Sequence, residues 1–128
     1  MAAHKIVIAD SNANWNSLLE KLEVTGIKAQ HATSGHEVVR SVNKGRVDVL
    51  VVDTHLSDMS GLSLVSIVRE LQPDIKLIMT TRENTPNLES ECREQGLVYY
   101  AVHPVRSDIL FDTILRAVNT LHAPHAVR

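Results

Sequence analysis

The sequence predicts an α/β fold in which five parallel strands form a doubly wound sheet flanked by five helices. Three observations carry this. The stretch Val47–Gly61, VDVLVVDTHLSDMSG, holds an apolar run from Val49 to Val52 that stops at a carboxylate, Asp53, with Gly61 eight residues on. A run without alternation suits a strand covered on both faces, as in a parallel sheet. Four further short apolar runs alternate with segments of helical period, without repeat or linker. Strict βα alternation at this spacing implies parallel strands joined by right-handed crossovers. The strand order stays open at this point, 2-1-3-4-5 being one of the two common ones.

Strand one is Ile6–Ala9, stopping at Asp10, and Ser11 to Asn14 supply turn and cap chemistry. Trp15, Leu18, Leu19 and Leu22 then repeat on one helical face, and Gly26 ends that helix as a C′ residue. Ile27–Ala32 is a weaker, more polar strand, suited to a sheet edge. Ser34 and Glu37 have capping-box spacing and open a helix buried through Val38, Val39 and Val42 and closed near Gly45. Strand three, Asp48–Val52, follows. After Gly61 comes a helix rich in Leu62, Leu64, Val65, Ile67, Val68 and Leu71, ended by Pro73.

Ile75–Met79 forms strand four and delivers Thr80 and Thr81. Thr85 and Pro86 read as N-cap and N1 of a fourth helix. Only Leu88 and Cys92 recur there, so it is expected to dock shallowly and be mobile, with Cys92 half-buried. Gly96 ends it, and Leu97–Val102 is strand five, leading into His103-Pro104. Ser107 is expected to cap the last helix, whose apolar stripe runs from Ile109 to Leu121. That stripe is read as chiefly core, with docking of a partner or a second copy by its excess, Phe111, Leu115 and Val118, as the alternative. Residues 1–122 read as one domain and 123–128 as a loose tail.

Composition limits the function classes. The chain has 128 residues, 44% hydrophobic and 22% charged, as in a soluble globular protein. Its formal net charge of -2 implies no general affinity for nucleic acid or anionic membranes, and 3% aromatics are too few for base stacking. No apolar run approaches the roughly 20 residues of a membrane span, and the N-terminus lacks a signal-peptide core. The single Cys92 excludes an internal disulfide and fits a reducing, cytoplasmic setting. His31/His36 and His122/His125 lack cysteines or a helical i, i+4 pair, which argues against zinc.

In a parallel sheet the carboxyl ends of all strands share one edge, where ligands collect. That edge gathers Asp10 and Ser11 after strand one, Asp53 after strand three, Thr80 after strand four and His103 after strand five. Two carboxylates, a hydroxyl and an ionisable imidazole make a set suited to phosphoryl transfer. One carboxylate acts as nucleophile, while a divalent cation and the remaining groups offset charge on the phosphoryl oxygens.

On these residues (Asp10, Asp53 with Gly61 eight on, Thr80, and His103-Pro104) the chain from Lys5 to Leu121 resembles the receiver domain of two-component response regulators. The resemblance implies a flavodoxin-like, CheY-like sheet of order 2-1-3-4-5. It implies that Asp53 accepts a phosphoryl group from a sensor histidine kinase or phosphotransfer protein, with Mg2+ held by Asp10, Asp53 and the backbone carbonyl of His55. Thr80 and His103 would contact the phosphate and Tyr100 would reorient with Thr80. The surface of helix four, strand five and helix five would then engage a downstream output domain or protein, or a second copy.

Two positions depart from the family pattern. Ser11 stands where an acidic residue usually supplies a metal ligand, and magnesium prefers anionic oxygen. His103 stands where a lysine is usual, and an unperturbed imidazole is mostly neutral near pH 7. Ser57 and Thr81 are lesser departures. The competing reading is a pseudo-receiver, a binding module that works without phosphorylation. An enzyme of another kind is disfavoured, because neither a Gly-rich phosphate loop nor a G-x-S-x-G elbow occurs. Self-phosphorylation and autodephosphorylation are the only catalysis expected.

Overall fold

The computed structural model describes residues 4–12 and 14–122. The elements are β1 (Lys5–Ala9), α1 (Asn16–Val24), β2 (Lys28–Ala32), α2 (Gly35–Lys44), β3 (Val49–Asp53), α3 (Gly61–Leu71), β4 (Lys76–Thr81), α4 (Pro86–Arg93), β5 (Tyr99–Val102) and α5 (Ser107–His122). All strand pairs are parallel, in the order β2-β1-β3-β4-β5. The expected alternation and strand order are therefore both present. The tail expected at 123–128, and with it His125, lies outside the described residues.

Because successive side chains point to opposite faces, each strand feeds two cores. Val7, Ala9, Leu50, Val52, Leu77 and Met79 face α2, α3 and α4, meeting Val38, Val42, Leu64, Val65, Val68 and Cys92. Ile6, Ile8, Val49, Val51 and Ile78 face α1 and α5, meeting Trp15, Leu18, Leu22, Leu110 and Ile114. The unbroken run Val49–Val52 is the strand with a core on each side, and every residue of β3 is buried. β2 is an edge strand and correspondingly polar on its open positions.

The helix ends follow local chemistry. Gly26, at φ 87, closes α1: its N–H donates to the Glu23 carbonyl at 2.9 Å, and the Ile27 N–H to that of Leu22 at 3.1 Å. That is the Schellman pair of bonds, which needs a left-handed residue. Ser34 Oγ accepts from the Glu37 N–H at 3.2 Å, and Thr85 Oγ1 from that of Leu88 at 3.1 Å. Glu37 reaches back one residue further than a reciprocal capping box, taking the Thr33 N–H at 2.6 Å. That bond lowers the Glu37 pKa.

Several expectations need correction. Trp15 occupies the N-cap of α1 with no side-chain cap bond, while Asn14 Oδ1 takes the Asn16 N–H at 2.9 Å. Ser107 is the first residue of α5, so the helix begins one residue earlier than a Ser107 cap would allow. The apolar pattern of α3 is only partly buried: Leu64, Val65 and Val68 fill the stripe facing the sheet, while Ile67 and Leu71 are exposed. Cys92 is fully buried, because it is the one α4 side chain that points squarely at the sheet, and burial raises its thiol pKa. On α5 the core reading of the stripe holds and the docking alternative does not: Val118 is buried, and Phe111 and Leu115 pack on the core shared with α1. Among the described side chains of α5, the exposed large apolar one is Ile109.

Candidate functional site

The carboxyl edge of the sheet is built around two buried carboxylates. Asp53 ends β3 and pairs in register with Thr80 of β4, while Asp10 directly follows β1. Their exposures are 2% and 1%. Burying ionised groups is costly unless each oxygen is hydrogen-bonded or paired, and here each is. Asp53 Oδ1 accepts from Thr80 Oγ1 at 2.8 Å, His103 Nε2 at 3.2 Å and Arg82 Nη1 at 3.3 Å. Its Oδ2 accepts from the His55 N–H at 3.1 Å. Asp10 accepts from the Asn12 N–H at 2.9 Å, from Trp15 Nε1 at 3.3 Å and from both Arg82 terminal nitrogens at 3.4 Å. The Trp15 and His103 rings lie 6.3 Å apart beside the pair.

The loop after Asp53 is folded back on the strand. The Thr54 N–H donates to the Thr80 carbonyl at 2.9 Å, and the Gly61 N–H to the Thr54 carbonyl at 2.8 Å. The start of α3 thereby lies directly against the end of β3. A Cβ on Gly61 would come 2.3 Å from the Asp53 carbonyl oxygen and 3.0 Å from Thr54 Cα. The glycine eight residues after Asp53 is thus a steric requirement of this return. Further along, Asp58 accepts the Gly35 N–H at 2.7 Å and the His36 N–H at 3.0 Å, two donors of the first turn of α2, and also contacts the His36 ring.

These α2 bonds, led by the one from Gly35, hold the Asp58 carboxyl down at about 2, from an ordinary 3.8. A carboxylate depressed on folding stabilises the native state above its unfolded pKa and loses that contribution as pH falls through the folded value. Asp58→Asn is therefore expected to flatten the loss of thermal stability between about pH 4 and pH 2. Melting temperatures measured at steps across that window check it; an unchanged slope contradicts it.

Of the site residues expected from sequence, Asp10, Asp53, Thr80 and His103 come together. Ser11 does not join them: its hydroxyl donates to the Thr33 carbonyl at 2.8 Å. His55 contributes its backbone N–H, while its ring is out by Glu83 at 3.7 Å. Tyr100 sits under α4, 8% exposed, with its hydroxyl donating to Asn84 Oδ1 at 2.8 Å and Arg93 over its ring at 5.5 Å. Thr81 is buried and accepts from Thr54 Oγ1 at 2.8 Å.

Sequence reasoning missed Arg82, the cation that touches both carboxylates. Its place in the chain, two residues beyond Thr80 at the same sheet edge, made it a neighbour of the site but did not say which way the side chain turns. It also missed two supports of Asp10: the Trp15 indole, read only as helix packing, and His31, whose Nε2 donates to the Asp10 carbonyl at 2.7 Å.

One ligand atom each from Asp10, Asp53 and His103 lie within 4.8 Å of one another. Magnesium binds through one or two carboxylates, keeping waters elsewhere. The two carboxylates suit it, while a neutral imidazole nitrogen is a poorer ligand for so hard a cation.

Comparison with known proteins agrees with this geometry. Residues 6–115 match the response regulator receiver domain family. Among curated relatives, the transcriptional regulatory protein GlrR of Escherichia coli K12 is 26% identical over 112 residues, covering 88% of this chain and 25% of GlrR. The DNA-binding transcriptional regulator NtrC of Azospirillum brasilense is 25% identical over 128 residues, covering 99% of this chain and 27% of NtrC. The chain thus spans about a quarter of the length of these relatives. Among solved structures, the CheY-like receiver domain protein of Methanospirillum hungatei JF-1 superposes with a TM-score of 0.85 at 22% identity, covering 94% and 98% of the two chains. Chemotaxis protein CheY4 of Vibrio cholerae gives 0.78 at 24% identity, covering 91% and 99%. With its five-stranded sheet in the order 2-1-3-4-5 and its acidic pocket at the carboxyl edge, the chain belongs to the response regulator receiver domain family.

Proposed function

We propose that residues 1–122 form a phosphorylation-switched receiver in which Asp53 takes a phosphoryl group from the phosphohistidine of a sensor kinase or phosphotransfer protein. The observation that carries this is the Asp53 carboxylate, fixed at the end of β3 with Thr80 Oγ1, His103 Nε2 and the His55 N–H aimed at it. An Asp53 oxygen attacks phosphorus, the donor's P–N bond breaks, and the departing imidazole nitrogen takes a proton from solvent. The same donors then lie within reach of the new phosphoryl oxygens. Asp10 and Asp53 would hold Mg2+, with the His55 carbonyl as a further ligand; when bound, the cation supplies charge neutralisation for the transferring group.

The readout runs through β4 and β5. Thr80 follows the phosphoryl group, and the adjoining Thr81–Glu83–Asn84 loop ends on the Tyr100 hydroxyl. The responsive surface is α4, β5 and α5, where Val102 and Ile109 are exposed for an output domain, a separate protein or a second copy. Catalysis is limited to self-phosphorylation and autodephosphorylation.

A second reading, a scaffold that signals without phosphorylation, is favoured by one arrangement. Thr80 Oγ1 is engaged by Asp53, Tyr100 is buried under α4, and the Ser11 hydroxyl is turned to Thr33 and away from the carboxylates.

Incubation with a small phosphodonor and Mg2+, followed by intact-mass measurement, separates the two. The receiver reading expects one added phosphoryl mass, and none overturns it. Ser11→Asp restores an anionic oxygen beside Asp10 and is expected to tighten Mg2+ binding by about tenfold. Titration followed by Trp15 fluorescence checks that, and no gain contradicts an attenuated metal site.

A further inference from the structure

Arg82 holds the place of a cation. Its Nη1 is 3.4 Å from Asp10 Oδ1 and 3.3 Å from Asp53 Oδ1, and its Nη2 is 3.4 Å from Asp10 Oδ2. One guanidinium therefore spans the two carboxylates that form the cation site. These contacts are long for charge-assisted bonds, which run at about 2.7–2.9 Å. Elsewhere in the same chain, Arg46 Nη2 reaches Asp74 at 2.8 Å and Arg106 Nη2 reaches Asp108 at 2.7 Å. Arg82 is thus shared between two partners rather than locked to either.

Its surroundings make it removable. The Arg82 side chain is 35% exposed, whereas the carboxylates it joins are almost completely buried. The other donors to the pair come from fixed positions: Thr80 on β4, the His55 and Asn12 backbone, the packed Trp15 indole, and His103. Arg82 alone brings a permanent charge on a long, flexible stem. Two carboxylates and one guanidinium leave a single negative charge; a divalent ion added without moving Arg82 would set two cations against each other inside the same few ångströms. The site accommodates one or the other.

We propose that Arg82 is a built-in counter-cation that competes with divalent metal for the Asp10–Asp53 pair, so that metal entry requires the guanidinium to swing into solvent. Metal-free, Arg82 keeps the carboxylates paired and covers Asp53. Metal-bound, its released charge lies at the mouth of the site. The inference rests on Asp10 and Asp53 being the metal ligands, as read above, and does not require Asp53 to be phosphorylated.

The test is a Mg2+ titration of the full chain at constant ionic strength, followed by Trp15 fluorescence and by calorimetry. Arg82→Met keeps the aliphatic stem and removes the charge; it is expected to bind Mg2+ about tenfold tighter than the wild type. Arg82→Lys keeps a charge but cannot fork between two carboxylates, and is expected to fall between them. Asp10→Asn is expected to weaken binding in either background. Equal, weaker or undetectable binding in Arg82→Met overturns the proposal. If circular dichroism shows that variant unfolded, Arg82→Lys decides, and affinity no tighter than wild type overturns it. Tighter metal binding without phosphoryl uptake would sustain the competition while removing the receiver reading, so the two failures are distinguishable.

Discussion

A Gly61→Ala chain is expected to lose about 1–3 kcal/mol of stability, and Gly61→Val more, measured by urea denaturation. The expectation rests on what the new Cβ would meet, which is main chain: the Asp53 carbonyl oxygen at 2.3 Å and Thr54 Cα at 3.0 Å. Neither can rotate away as a flexible side chain would. Relief requires α3 to back off β3, which would strain the 2.8 Å bond from the Gly61 N–H to the Thr54 carbonyl. The displacement falls on the residue that carries the carboxylate, so phosphoryl uptake is expected to fall together with stability. By contrast, a Cβ on Gly35 meets only the end of the Met59 side chain, and one on Gly45 meets nothing within 4 Å. Gly45→Ala therefore serves as a control expected to be nearly neutral. A Gly61→Ala variant as stable as that control would contradict the steric account.

Asp53→Asn is expected to abolish phosphoryl uptake and to weaken Mg2+ binding at least about tenfold, since it removes one of the two anionic ligands we propose. The fold should persist. An amide oxygen still accepts from Thr80 Oγ1, and Arg82 keeps its two contacts to Asp10. Circular dichroism and intact mass on the same sample check both halves. Residual uptake in this variant would point to another acceptor, with Asp10, equally buried and sharing Arg82 with Asp53, the first to examine.

The fold was legible because its signals are local and redundant. The Val49–Val52 run, the Ser34 and Thr85 caps and the glycines at 26, 61 and 96 each act within one or two turns of chain. The four residues that converge at the site were legible for a related reason, since parallel strands bring their carboxyl ends to one edge. What escaped was set by reach across space. Arg82 is defined by where a long side chain lands, and nothing in the spacing of Thr80, Thr81 and Arg82 says that it turns inward. Trp15 serves core and site at once, and helical period reveals only the first. Cys92 and the exposed pair Ile67 and Leu71 show the same limit, because how deeply a stripe is buried depends on the width of the facing surface. The Ser11 hydroxyl went to Thr33, a partner 22 residues away that local chemistry cannot name.

The central claim is that Asp53 itself carries the phosphoryl group. An acyl phosphate is reduced by borohydride to an alcohol, which converts a phosphorylated aspartate to homoserine and leaves unmodified carboxylates alone. Peptide mapping after phosphodonor treatment and reduction is expected to find homoserine at position 53 and at no other acidic residue. Aspartate intact at position 53 after donor treatment, or homoserine elsewhere, would contradict it.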